Sequence, residues 1–230
     1  KFKVVLLALK KKAGNLLDFT ASSFDRDFVL FKAQVDELDK FTLEFIDARF
    51  DEVAGSIIHS LDLLTKYRRV FEREKVRKSL DRKFISLFMA YGDELEEVKV
   101  LYEREKQDPP LGRNLPPVAG NIQWSKNLLE RCEAPMRRFE DNPAIEGCRD
   151  YKRIVKTYNK MVRTLVAFEI LWFQAWSQAI DKAKAGLSAT LIVRHPEDEN
   201  LYVNFDPDVF QLVREAKCLE RMALSTPIPE

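Results

Sequence analysis

The longest apolar pattern in the chain runs from about residue 144 to residue 187 and predicts one long helix. Its members recur at steps of three and four residues and then at two steps of four: Tyr151, Ile154, Tyr158, Met161, Leu165, Phe168, Trp172, Trp176 and Ile180. Such steps place side chains on one helix face, and the two final steps resemble a stutter that locally unwinds a supercoil. A helix of these ~40 residues would be about 60 Å long. We therefore expect elongated helical bundles.

Two earlier segments carry the same helical spacing. One has Phe28, Phe31, Val35, Leu38, Phe41 and Phe45, and the other has Leu80, Phe84, Leu87, Phe88, Tyr91, Leu95, Val98 and Tyr102. A break near residues 51–55 ends the first pattern. Only 7 glycines occur in 230 residues, which leaves little room for the turns of an all-β fold. The predicted fold class is mainly α.

The order of these patterns suggests how the chain is organised. β-like runs on both sides of a polar loop at residues 195–200 predict one short hairpin, and Pro207 stands where the first turn of a closing helix is expected. The expected segments are a weakly patterned lead-in at 1–23, a first helical bundle segment at 24–108, a proline/glycine joint at 109–120, and a second helical segment at 121–230. This second segment contains the long helix 144–187, the β-hairpin 190–204 and the closing helix 207–222.

The joint is the most distinctive local sequence. Proline disfavours helical angles in the residue before it, so Pro117 predicts an extended Pro116, and Gly120 permits backbone angles that other residues avoid. The next helix is expected to begin beyond Gly120 and to be anchored by Trp124. We predict that these four residues set the angle between consecutive bundles.

The charge balance and the cysteines limit the class of protein. Lys and Arg number 38 against 37 Asp and Glu, a net charge of +1, whereas nucleic-acid-binding proteins usually carry a basic excess. No apolar stretch approaches the ~20 residues that cross a bilayer. The three cysteines are odd in number and widely spaced, which is typical of a reducing compartment. Because the chain begins at Lys1 and stops abruptly, we expect a piece of a longer protein.

The sequence offers little for catalysis. It contains neither a GxxxxGK[ST] phosphate loop nor a GxGxxG motif, and neither His59 nor His195 has cysteine or acid partners at ligand spacing. The acidic group at residues 93–97 surrounds Leu95 and should mostly face water. We therefore predict no catalytic residue, metal site or cofactor.

Two tryptophans have two possible roles. Trp172 and Trp176 lie on one predicted helix face among further aromatic residues. They could pack in the core, or they could anchor a partner helix, because tryptophan is enriched at the centres of interfaces. The residues alone leave both roles open.

Several motifs together resemble a known family. They are Lys106-Gln107-Asp108-Pro109-Pro110, then Arg113 to Gly120 with Ile122 and Trp124, then Pro135-Met136, Tyr158-Asn159, Phe168-Glu169, Trp172 and Trp176, and finally Val203-Asn204-Phe205-Asp206-Pro207 with Arg214-Glu215-Ala216-Lys217. Their order and spacing resemble the N-terminal tail of dynein heavy chains, the axonemal branch more than the cytoplasmic one and with a leaning to the outer-arm type. The resemblance runs from about Phe24 to the end and does not reach residues 1–23.

The resemblance implies a non-catalytic segment of a very large motor protein. In that family the ATPase ring and the microtubule-binding stalk lie far downstream. The tail is a series of helical bundles that gathers heavy, intermediate and light chains and docks the motor on the axonemal doublet microtubule, without a membrane span or nucleic acid. It further implies that Asn204, Phe205, Asp206 and Pro207 form a closing motif, and it implies a location in the cytoplasm, at the cytoskeleton of the ciliary or flagellar axoneme.

Two other classes of protein remain as alternatives. An all-α enzyme or ligand-binding module could build its site from scattered residues, and it would be stabilised by ATP, a divalent metal or a metabolite. A membrane-surface helical protein is suggested by Lys10-Lys11-Lys12 and by the 46% apolar content; it would co-sediment with liposomes in a salt-sensitive way.

Overall fold

The computed structural model describes residues 2–11, 23–70, 72–140, 142–187, 190, 192–197, 199–204 and 207–224. Within these ranges the chain forms seven α-helices, one short 3-10 turn and one antiparallel pair of strands. The helices are α1 Phe2–Lys10, α2 Ser23–Glu52, α3 Ile57–Val70, α4 Glu74–Glu105, α5 Pro117–Phe139, α6 Tyr151–Leu187 and α7 Pro207–Arg221, and the strands are β1 Ile192–Arg194 and β2 Leu201–Val203. This confirms the mainly α fold with long helices and a short hairpin near the C-terminal end.

The chain divides into two compact units, and the division falls inside α4 and α5. Unit 1 consists of residues 1–91 and 138–149, and unit 2 consists of residues 92–137 and 150–230. The proline/glycine segment 109–120 therefore lies inside unit 2. The lead-in at 1–23 contributes α1 to unit 1.

The core of unit 1 is built mainly on α4 and α3. Leu61 and Leu64 of α3 and Leu80 of α4 are fully buried. Phe88 packs edge-to-face on Phe139, with ring centroids 5.1 Å apart, an arrangement that aromatic pairs favour. The α4 spacing thus marks a true core stripe, as the sequence predicts.

Helix α2 packs less completely than α4, because half of its apolar stripe is exposed and the other half is only partly buried. Phe28 and Phe41 are 54% and 47% exposed, whereas Ile46, which is not a member of the predicted stripe, is fully buried. A buried carboxylate, Asp39, pairs with Arg73 at 2.6 Å. The period identified the helix correctly, but it did not show which side is covered.

Unit 2 packs the second half of α4 against α5 and α6. Gly92 allows a close approach of α4 to α6, since a Cβ atom there would lie 2.9 Å from Cγ1 of Ile154. The hydroxyl of Ser125 on α5 donates to the carbonyl oxygen of Leu165 on α6 at 2.9 Å. Three helices are thus held by tight packing and by a buried hydrogen bond.

Helix α6 begins at Tyr151, later than residue 144, because a separate turn precedes it. Asn142 caps the 3-10 turn Pro143–Ile145, and its side-chain oxygen accepts the backbone N–H of Ala144 at 3.1 Å. The structure also shows α5 as one helix that continues through Pro135, although proline inside a helix removes a hydrogen bond and often kinks or ends the helix.

The hairpin pairs Ile192 with Val203 and Arg194 with Leu201. The side chains of both strands are exposed. The amide of Asn204 donates to the carbonyl oxygen of Thr190 at 3.2 Å, which closes the base of the hairpin just before α7.

Candidate functional site at a capped helix joint

The joint is formed where the linker after α4 enters α5. Pro117 is the first residue of α5, a position that suits proline because the first helical N–H has no partner within the helix. The carbonyl oxygen of Pro116 accepts the N–H of Gly120 at 2.8 Å. The N–H groups of Val118 and Ala119 are left without a carbonyl partner in the first turn.

A carboxylate from α7 satisfies both of these N–H groups. One carboxylate oxygen of Glu215, Oε1, accepts the N–H of Val118 at 2.9 Å, and the other, Oε2, accepts the N–H of Ala119 at 2.7 Å. Glu215 is only 2% exposed. A helix N-terminus carries partial positive charge and stabilises an anion placed there. Glu215 therefore caps α5 although the two lie almost a hundred residues apart in sequence.

Gly120 has a different role from the one its sequence position suggests. It lies within the first turn of α5, and the described glycines include none with a positive φ angle. A Cβ atom at this position would lie 3.0 Å from Cδ2 of Leu111 in the linker. The expectations that the helix begins beyond Gly120 and that Gly120 supplies unusual backbone angles are therefore wrong. Glycine is used here because the linker packs directly on the helix.

An apolar cluster surrounds the cap. Ala119 and Ile122 of α5, Trp176 and Ile180 of α6 and Leu219 of α7 are buried together. Among the partly buried side chains that pack on them are those of Val118, Trp172, Leu212 and Ala216. This cluster removes the Glu215 carboxylate from water, which strengthens its hydrogen bonds.

The two tryptophans of α6 occupy different environments. Trp176 is 3% exposed within the apolar cluster, and its indole N–H finds no hydrogen-bond partner in the described part of the chain. Trp172 is half-buried, with its ring 6.2 Å from that of Phe168. Of the two, only Trp172 offers an appreciable surface.

Trp124 connects the joint to the end of α4. It is 7% exposed, it stacks on Tyr102 at 5.9 Å between ring centroids, and it meets Phe168 at 5.6 Å. One ring from each of α4, α5 and α6 thus packs in a single cluster. This cluster fixes the end of α4 next to the beginning of α5, on either side of the linker.

Helix α7 is also held at its C-terminus. The Nζ of Lys126 donates to the carbonyl oxygen of Met222 at 3.1 Å, and Ala223 has a φ angle of 59°, the left-handed conformation that commonly ends helices. The predicted closing motif begins with Asn204, at the base of the hairpin, and ends with Pro207, the first residue of α7. Phe205 and Asp206 lie outside the described residues.

Several potentially reactive side chains of unit 2 are buried or paired with an opposite charge. The described residues contain no group of three or more metal-ligating side chains and no helix long and apolar enough to span a bilayer. Burial raises the pKa of the Cys132 thiol to about 12, which disfavours the reactive thiolate. In the acidic group, Glu94 pairs with Arg131, and Glu96 pairs with Lys99.

Sequence reasoning did not assign a role to Glu215. A signal for it exists, because Glu215 lies between Leu212 and Leu219 at steps of three and four, inside the apolar stripe of α7. A charged residue within an apolar stripe predicts a buried, partnered carboxylate. The partner could not be predicted, since backbone N–H groups look alike in every sequence.

Comparison with known proteins gives a consistent result. The sequence profile described as "Dynein heavy chain, N-terminal region 1" matches residues 1–230. "Dynein gamma chain, flagellar outer arm" of Chlamydomonas reinhardtii is 40% identical over 221 residues, which is 96% of this chain and 5% of that protein. "Dynein axonemal heavy chain 5" of Mus musculus is 34% identical over 97% of this chain, and "Dynein axonemal heavy chain 8" of Homo sapiens is 35% identical over 99% of it; the chain again covers 5% of each.

The chain thus spans about one twentieth of the length of these relatives. The profile match also includes residues 1–23, which the motifs noted in the sequence do not reach. The expectation that the resemblance starts near Phe24 was therefore too narrow.

Proposed function

Because the chain belongs to the N-terminal region 1 family of dynein heavy chains, we propose that it is a non-catalytic tail segment that acts as a structural scaffold. Its task is to hold helices at a defined angle while the heavy chain assembles with other heavy chains, intermediate chains and light chains. The tail then docks the motor on the axonemal doublet microtubule. The relatives named for the flagellar outer arm and the axoneme support a ciliary or flagellar location for this chain.

The observation that carries the scaffold role is the cap of Glu215 on α5. A scaffold has to resist a change of angle between its helices, and the linker between α4 and α5 is the place where such a change would begin. Two hydrogen bonds of 2.9 and 2.7 Å to a buried carboxylate connect α7 to the first turn of α5. A tilt of α5 relative to α7 would stretch or bend at least one of these two bonds.

The residues of the joint also help to keep the angle between the helices fixed. Pro116 and Pro117 restrict the linker where it enters α5, Gly120 lets that linker pack on the helix, and Trp124 stacks against the end of α4. Asn204 and Pro207 set the start of α7, so that Glu215 faces the joint. Trp172 is our candidate for a protein contact at this site, and Trp176 supports it from the core.

The proposal is tested by capture from axonemes. The 230-residue chain is immobilised and exposed to a salt extract of axonemes, and the bound proteins are quantified by mass spectrometry. Dynein intermediate chains and other heavy chains should be enriched. Glu215→Ala should reduce this recovery, because it loosens the joint, whereas Lys40→Glu on the exposed surface of α2 should not.

Two results would contradict the scaffold role. One is the absence of every dynein subunit from the bound fraction. The other is equal recovery by the Glu215→Ala variant after that variant has been shown to be folded and less stable. Stabilisation of the chain by ATP, by a divalent metal or by a metabolite would favour an enzyme or a ligand-binding module instead.

A further inference from the structure

We propose that the outer face of α6 binds an acidic amphipathic helix of a partner protein. The inference deepens the assembly role by giving the chemistry of a partner. It rests on that role only in taking the partner to be a protein, and it involves no residue of the Glu215 cap.

A groove follows α6 for five turns. It has a volume of about 890 Å³ and extends from Tyr151 to Leu171, with Tyr102 of α4 as one wall. Val155, Ala167 and Leu171 give it apolar surface, and Leu171 is 64% exposed. An exposed apolar surface along a groove is what a helix needs for docking.

Four cations line the same groove at helical spacing. They are Lys152, Lys156, Lys160 and Arg163, which follow one another at steps of four, four and three. Four residues span about 6 Å of helix, so the row covers about 16 Å. All four side chains are exposed.

None of these four cations has an acidic partner among the described residues. Some other cations of unit 2 do have acidic partners: Lys126 lies 3.6 Å from a carboxylate oxygen of Glu169, and Arg131 contacts Glu94. Like charges at this helical spacing repel each other by about 0.2–0.5 kcal/mol per pair, and a ligand of opposite charge would relieve that repulsion. The row of four cations therefore favours an acidic ligand.

The shape of the site distinguishes between acidic ligands. A bilayer presents a broad surface, whereas this site is lined by one side of α6 together with Tyr102, a strip that a single helix can follow along its length. From Lys152 to Leu171 the helix rises about 28 Å, which matches a partner helix of about five turns. Such a helix would place apolar residues at steps of three and four on the groove, with Asp or Glu beside them facing the four cations.

Binding is measured with a synthetic probe. A fluorescently labelled helical peptide carries leucine at alternating third and fourth positions and glutamate at the positions beside them, and its anisotropy is followed as the 230-residue chain is added. A second peptide has lysine in place of each glutamate. Vesicles of phosphatidylserine and phosphatidylcholine serve as the lipid probe.

The variants distinguish binding in the groove from a general effect of net charge. Lys156→Glu/Lys160→Glu reverses two charges in the groove. Lys40→Glu/Lys66→Glu makes the same change of net charge on exposed sites of unit 1. Leu171→Ser removes apolar surface at an exposed position, so that it should not affect folding.

The expected results are as follows. The acidic peptide binds the chain, and the lysine peptide binds roughly tenfold more weakly or not at all. The groove double variant weakens the Kd for the acidic peptide roughly tenfold, which equals about 1.4 kcal/mol, Leu171→Ser weakens it severalfold, and the control double variant leaves it unchanged. Added salt lowers the affinity, because exposed charges are screened.

Several results would overturn the proposal: no binding of the acidic peptide, equal binding of both peptides, or an equal loss in the control variant. Binding to the anionic vesicles but not to the peptide would assign the surface to lipid. Failure of this proposal can be distinguished from failure of the scaffold role. Capture of dynein subunits is tested with Glu215→Ala, whereas peptide binding depends on groove residues that this variant leaves unaltered.

Discussion

Replacing Glu215 with alanine tests the joint most directly, because this one side chain accepts two backbone N–H groups of α5. The alanine variant leaves the N–H of Ala119 unpaired in a buried site and the N–H of Val118 unpaired in a partly buried one. An unsatisfied buried donor costs about 1–3 kcal/mol, so two of them predict a loss of about 2–6 kcal/mol in the free energy of unfolding. That loss is a large part of the ~5–15 kcal/mol that typical domains possess.

Glutamine at this position should have an intermediate effect. Glu215→Gln keeps the size of the side chain and one acceptor oxygen, but its NH2 group cannot accept the second N–H, and the charge at the helix N-terminus disappears. The loss of one hydrogen bond together with the helix-end interaction predicts a cost of about 1–3 kcal/mol. The order wild type, Gln, Ala is thus part of the prediction.

Urea unfolding followed by tryptophan fluorescence is the suitable assay. All 3 tryptophans lie in unit 2, and Trp176 packs in the same cluster as Ala119. The fluorescence transition therefore reports the unit that contains the joint, and circular dichroism reports helices of both units. The midpoint should fall while the slope of free energy against urea stays constant.

The matched control is Glu220→Ala on the same helix. Glu220 is exposed, and substitutions of this kind usually change stability by no more than about 0.5 kcal/mol. If Glu215→Ala falls within the same range as Glu220→Ala, the carboxylate does not cap α5, and the argument for a rigid joint fails.

Three other predictions concern packing and reactivity. Gly120→Val should lower the free energy of unfolding by about 1–3 kcal/mol, because its side chain meets the linker; unchanged thermal stability and unchanged solution-scattering dimensions would contradict this. Gly92→Ala should cost a similar amount, since its Cβ would approach Ile154 to 2.9 Å, whereas Gly55→Ala, with nothing within 4 Å, should cost much less. Cys132 should react with iodoacetamide at pH 8 far more slowly than the two half-buried cysteines, because burial raises its pKa to about 12; equal labelling by peptide mass spectrometry would refute this.

Much of the helical architecture could be predicted from the spacing of apolar residues. The stripe on α4 is buried at Leu80, Phe84 and Phe88, and the long pattern that ends at Ile180 forms a single helix. This succeeds because a helix repeats every 3.6 residues whatever it packs against. Pro207 was equally informative, since it begins α7 as expected, whereas α5 begins at Pro117, earlier than the predicted start beyond Gly120.

The same reasoning failed where burial depends on a neighbour. The aromatic stripe of α2 satisfies the helical period, yet Phe28, Phe41 and Phe45 are exposed. Periodicity identifies a face of a helix, but only the packed structure shows whether another element covers that face. Gly120 is a second case, because a glycine chosen for close packing cannot be distinguished in sequence from one chosen for its backbone angles.

What the sequence by itself determined is therefore local: the long helices, the start of α7, the hairpin and the motifs that resemble the dynein tail. These depend on contacts between residues a few positions apart. Only the tertiary structure decided that Glu215 caps α5, because that contact joins residues almost a hundred positions apart through backbone N–H groups, and these carry no trace in the sequence. It likewise decided that four cations of α6 line a groove in which no described residue supplies an acidic partner, since the covering of a helix face depends on which helices pack beside it.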